Sequence, residues 1–76
     1  APTISERIAT VLRHMDMLIE LKGEHSGLLE MRKHTAWYIK GMKNAAAIKD
    51  GIFKLNSKRE IIELLELLER ENLQGD

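Results

Sequence analysis

Lys33, Trp37 and Lys40 stand at i, i+4 and i+7, a spacing that sets two cations and an indole along one edge of a helix. Such an edge can offer ammonium groups to phosphates and a ring to a base or ribose. The competing reading puts Trp37 in the core beneath lysine stems. Arg32, just before them, carries the planar fork of donors suited to a phosphate.

Other chemistries find less support. His14, His25 and His34 are the only imidazoles, and Glu30 and His34 at i and i+4 have a chelating spacing. A metal site wants three or four ligands, so a hydrogen-bonded pair is the expectation and no metal is expected. Glu63, Glu66 and Glu69 recur every three residues as a solvated acidic stripe rather than an acid–base pair. Ser5, Ser26 and Ser57 fall at turns or helix starts, where capping explains them. The five glycines are isolated, so there is no Gly-rich phosphate loop. With no Cys there is no thiolate zinc site, disulfide or Cys nucleophile. Seventy-six residues make one small domain and exclude a (β/α)₈ barrel.

The formal charge of zero is segregated. Residues 1–31 carry −2, residues 32–59 carry +7 and residues 60–76 carry −5. One reading is ordinary solvated helix faces; the other is a site for a polyanion, since clustered Lys and Arg bind phosphates by counterion release. No apolar run reaches the length of a membrane span and no signal-peptide pattern opens the chain, so a membrane is not an expected partner. Because residue 1 is Ala rather than Met, the chain reads as processed or as a piece of something longer.

Four helices must position these groups, and the expected fold is all-α, a compact four-helix bundle-like domain with short connections. The first spans about Ile4 to Lys22. It opens on the capping box Thr3-Ile4-Ser5-Glu6 and closes on a left-handed cap at Gly23. Ile8, Val11, Leu12, Met15, Leu18 and Ile19 form its apolar stripe. The second spans about Leu28 to Lys40, after a turn at residues 24–27, and stops at Gly41. Leu28, Met31, Thr35, Tyr38, Ile39 and Met42 share one face; Leu29 and Ala36 suggest a second buried side and a central place in the bundle. The third spans about Ala45 to Leu55, with Asn44 as N-cap. The fourth starts at a second capping box, Ser57-Lys58-Arg59-Glu60, carries Ile61, Leu64, Leu65 and Leu68 inward, and frays at Asn72 and Gly75. Leu64-Leu65 and Leu67-Leu68 read as internal packing; the alternative is a helical protein–protein interaction module using this Leu-rich helix.

The run Glu30-Met31-Arg32-Lys33-His34, followed by Trp37-Tyr38 and Lys40-Gly41, resembles the signature of the C-terminal helical domain of bacterial tRNA-dihydrouridine synthases, B-type. Lys22-Gly23-Glu24 before it, and the Ala-rich and Leu/Glu-rich helices after it, extend the likeness over nearly all 76 residues. It departs after Gly41, where Met42-Lys43-Asn44 replaces the Pro-Gly turn frequent in the family. The resemblance implies that residues 1–76 are one domain, the C-terminal fragment of a longer protein whose flavin-binding barrel is absent here. It implies an oxidoreductase parent, cytoplasmic, that reduces the C5–C6 bond of uridines in tRNA with FMN and NADPH. The fragment itself would be non-catalytic and hold no cofactor. Its implied partners are tRNA and the parent's own N-terminal barrel. Arg32, Lys33, His34 and Lys40 are the implied RNA contacts, with Trp37 and Tyr38 organising helix packing. Lys43 joins the contacts on charge alone, with Lys49, Lys54, Lys58 and Arg59 as weaker candidates of the same kind.

Overall fold

Thr3 accepts from the Glu6 amide at 3.1 Å while the Glu6 carboxylate accepts from the Thr3 amide at 2.8 Å. These reciprocal bonds satisfy donors that a helix start leaves open, and helix α1 runs from Ile4 to Lys22 as its periodicity predicts. The computed structural model describes residues 2–54 and 57–74, and among them there are four α-helices and no strand. The others are α2 (Glu24–Tyr38), α3 (Ala45–Phe53) and α4 (Lys58–Gln74). None is long and apolar enough to cross a membrane.

A single glycine joins α1 to α2. Gly23, at φ 86° and ψ 162°, donates its N–H to the Ile19 carbonyl at 2.8 Å and accepts from the Gly27 amide at 2.9 Å. It ends one helix and begins the next. The cap expected there is therefore present but is not left-handed helical: ψ is extended, in a region that only glycine enters freely. The turn expected at residues 24–27 is helix, four residues earlier than its periodicity suggests, with Glu24 favourably placed in the first turn. Gly27 serves packing instead. It is buried where α2 crosses α1, against the backbone of Leu18 and Ile19.

The core is one cluster. Ile8, Val11, Met15 and Leu18 of α1 meet Leu28 and Met31 of α2, Ile48 and Ile52 of α3, and Ile61, Leu65 and Leu68 of α4. Each such side chain contributes about 1.5–3 kcal/mol on burial. The helices touch in a ring: α1 packs on α2 most extensively and also on α4, while α3 bridges α2 and α4. The second buried side expected for α2 is not there. Leu29 and Trp37 are exposed, because α2 is covered by α1 and α3 on one side only. The fourth helix turns most of its apolar stripe inward, with Ile61, Leu65 and Leu68 buried and Leu64 partly so, but Leu67, expected to pack internally, is exposed because it falls on the outer side of the helix. Met15, Met31 and Met42 are core residues, and only Met17 lies at the surface.

The α2–α3 connection turns on Gly41, at φ 87°, and Asn44, at φ 68° and ψ 13°. Asn44 occupies the N-cap position of α3 but makes no side-chain cap. Its amide instead donates to the Glu71 carboxylate of α4 at 2.9 Å. Asn72 is not a fraying end. Its side chain pairs with the Lys43 backbone in both directions, accepting from the amide at 2.9 Å and donating to the carbonyl at 3.0 Å. The second capping box shows its Ser57 half, a long contact of 3.4 Å from the Glu60 amide. Leu55 and Gly75, expected at the ends of the third and fourth helices, lie outside the described residues.

Candidate nucleic-acid interface

The outward face of α2 is built from the residues its inward stripe leaves over. Leu28, Met31, Thr35 and Ile39 face the core, so helical geometry turns Lys33 and Trp37 to solvent. The Trp37 side chain is 72% exposed, and the Lys40 ammonium lies 5.8 Å from its ring centroid, within cation–π range. Trp37 is thus not a core residue beneath lysine stems: Lys33 and Trp37 are exposed on α2, whereas Lys40, expected as the last residue of that helix, lies beyond its end at Tyr38 and reaches back to the indole from the connection. Tyr38 does organise packing, half-buried against the core.

The end of α2 is held by a residue that no motif or spacing singles out. Arg7 of α1 donates through Nε and Nη2 to the Tyr38 carbonyl, at 3.0 and 2.6 Å, and through Nη2 to the Lys40 carbonyl at 2.9 Å. A guanidinium on the last carbonyls of a helix satisfies orphan acceptors and opposes the negative end of the dipole. Only the fold brings residues 7 and 38 together, so no local spacing signals the contact. Pro2, Arg7, Thr10, Trp37, Tyr38 and Lys40 line an open cleft of about 440 Å³ at this corner.

The other candidates are distributed unevenly. His34 sits on the neighbouring edge of α2, its Nε2 3.8 Å from Glu30 and its ring 4.6 Å from the His14 ring. Glu30 also accepts from Lys22, and that hydrogen bond, reinforced by the charges of Lys22, His34 and Lys33, holds its carboxyl below the usual range against a partial desolvation. At 3.8 Å the Glu30–His34 contact is longer than the hydrogen bond expected from the spacing, and Glu30 is bonded to Lys22 instead. No group of three or more metal-ligating side chains occurs among the described residues. Arg32 is partly buried and already engaged within the protein. Lys43 is exposed on the connection that Asn72 clasps. Three weaker candidates are spent on ion pairs: Lys54 with Asp50 at 3.1 Å, Lys58 with Asp16 of α1 at 2.7 Å, and Arg59 with Glu63 at 3.6 Å. Among the described residues, Lys33, Lys40, Lys43 and Lys49 form no ion pair. The basic block thus presents its open charge on α2, the connection after it and α3.

A family model described as dihydrouridine synthase (Dus) matches residues 1–74. The chain belongs to the dihydrouridine synthase family. It is 42% identical over 66 residues to the probable tRNA-dihydrouridine synthase 1 of Synechocystis, covering 87% of this chain and 18% of that protein. It is 32% identical over 56 residues to the probable tRNA-dihydrouridine synthase of Rickettsia bellii, covering 74% of this chain and 17% of that one. For the probable tRNA-dihydrouridine synthase of Mycobacterium tuberculosis (strain H37Rv) the figures are 31% over 68 residues, 90% and 18%. The chain therefore spans less than a fifth of the length of these relatives. No solved structure gives a significant match.

Proposed function

We propose that this chain is the C-terminal helical domain of a B-type tRNA-dihydrouridine synthase, and that it grips tRNA while the remainder of the enzyme reduces a uridine. The observation that carries the reading is the exposed group of Lys33 and Trp37 on α2 with Lys40 just past its end, in a chain similar to proteins named as probable tRNA-dihydrouridine synthases. Chemistry on a base requires extruding it, and extrusion needs leverage from backbone contacts elsewhere on the RNA. Lys33, Lys40 and Lys43 supply such contacts; Arg32 and His34 have a lesser part, because both are engaged within the protein.

The residues of this chain do not fit a flavin. Its glycines are isolated, giving no phosphate cradle, and the clefts among the described residues are open surface grooves. In this reading FMN and NADPH are handled by the parent's barrel, and the domain contributes orientation rather than catalysis. The alternative interaction module on α4 is disfavoured by the burial of Ile61, Leu65 and Leu68 within the bundle.

Binding of tRNA by the chain, followed by fluorescence anisotropy across a salt series, tests the proposal. Affinity should fall steeply between 50 and 200 mM salt, roughly in proportion to the number of phosphates neutralised. Lys33→Ala with Lys40→Ala should weaken binding about tenfold and flatten the log–log salt slope by about 1.5–2. Affinity independent of salt, or an unchanged slope in the double variant, would overturn this assignment.

A further inference from the structure

We propose that the cleft between the start of α1 and the end of α2 is a stacking subsite for one unpaired nucleotide of the bound RNA, its base on Trp37 and its phosphate at Lys40. The proposal rests on the tRNA-binding reading and adds to it a contact with a base. Trp37 is the first reason. An indole is costly to leave in water, yet this one is 72% exposed and is not among the residues packed on the core. Nothing among the described residues covers it, so it is open to a ligand.

The lining is the second reason. The cleft offers an aromatic ring, a proline, a tyrosine and two cations, and among the described residues no carboxylate lines it. The nearest acid in sequence, Glu6, is tied to the Thr3 amide at the start of α1. Arg7 lends fixed positive charge, but its donors are directed to the Tyr38 and Lys40 carbonyls. Among the described residues the lining cation without an ion-pair partner is Lys40, whose ammonium lies 5.8 Å from the indole centroid. A base sliding onto the ring displaces that ammonium towards the nucleotide's own phosphate, so one contact is exchanged for two. Basic grooves with an aromatic platform bind single strands in this way, whereas paired bases in a duplex have no free face to give. A volume of about 440 Å³ accommodates one nucleotide and little more.

Trp37 is the only tryptophan of the chain, so its fluorescence reports the subsite directly. The probes are tRNA, a short oligoadenylate and a fully paired RNA duplex of matched length, with acrylamide accessibility as a second readout. Saturating tRNA and oligoadenylate should quench Trp37 and shield it, and the duplex should not. Trp37→Ala should weaken tRNA binding about tenfold with the salt slope unchanged, and Trp37→Phe should recover most of the loss. Circular dichroism of both variants should match the parent, since the residue is outside the core. Salt-sensitive tRNA binding with Trp37 unquenched, equal quenching by duplex, or undiminished binding by Trp37→Ala would overturn the subsite and leave the tRNA-binding reading standing. Absence of binding to every RNA would overturn both.

Discussion

Replacing Gly27 with alanine is expected to destabilise the fold by about 2–3 kcal/mol, although alanine is the better helix former by about 1 kcal/mol. A Cβ at position 27 would lie 2.8 Å from the Ile19 nitrogen, 2.9 Å from its Cα and 3.0 Å from the Leu18 carbonyl carbon. These are backbone atoms of α1, which no rotamer change can move. The two helices must separate, and the core between them loosens, which is the cost of overpacking. Thermal denaturation followed by circular dichroism should show a fall in Tm of roughly 10–20 °C for a domain of this size. Gly51→Ala is the control. Its Cβ would meet only the Leu64 Cδ1 at 3.0 Å, the end of a side chain that can turn aside. That variant should be neutral or gain up to about 1 kcal/mol. Equal Tm values for the two variants would show that the α1–α2 crossing has slack the geometry denies.

Arg7→Ala is expected to cost about 2 kcal/mol, read as a lower urea midpoint at unchanged m-value. Three hydrogen bonds to the Tyr38 and Lys40 carbonyls are lost together, and the end of α2 is left without a partner of opposite sign. The figure is well below the sum of three charged hydrogen bonds, since water replaces part of what is removed. Arg7→Lys should recover less than half, because one ammonium cannot reproduce a fork that reaches two carbonyls at once. The same substitution should also weaken RNA binding, although Arg7 aims its donors inward. It fixes the backbone from which Trp37 and Lys40 project. A midpoint indistinguishable from the parent would mean that the contact is made equally well by solvent.

The helices were legible where local chemistry decides them. Thr3 and Glu6 announce the start of α1 because their bonds close within four residues, and the stripe from Ile8 to Leu18 needs only the helical period. Gly27 was legible as a special position but for the wrong reason. A glycine after a glycine-containing stretch reads as a turn, whereas its lack of a Cβ serves a crossing that only the folded chain reveals. Asn72 likewise reads as a helix breaker until the Lys43 backbone stands beside it. In the candidate site, Lys33 and Lys40 followed from spacing. Trp37 did not settle, because the same periodicity serves a buried or an exposed edge until the neighbours of α2 are known. Arg7 left no trace, since its partners lie 31 and 33 residues away and are main-chain oxygens, which have no residue type to recognise.

The stretch from Ile39 to Asn44 is held from both sides, by Arg7 on the first helix and by Asn72 on the last. It bears Lys40 and Lys43 but is not a pliable arm that condenses around whatever it meets. Its backbone is already in the shape that a bound nucleic acid would find, so association forfeits little conformational entropy there. In the proposed complex, discrimination among RNAs would fall to the shape of the ligand, which must fit a stretch of backbone pinned by two hydrogen-bonded clasps, Arg7 and Asn72.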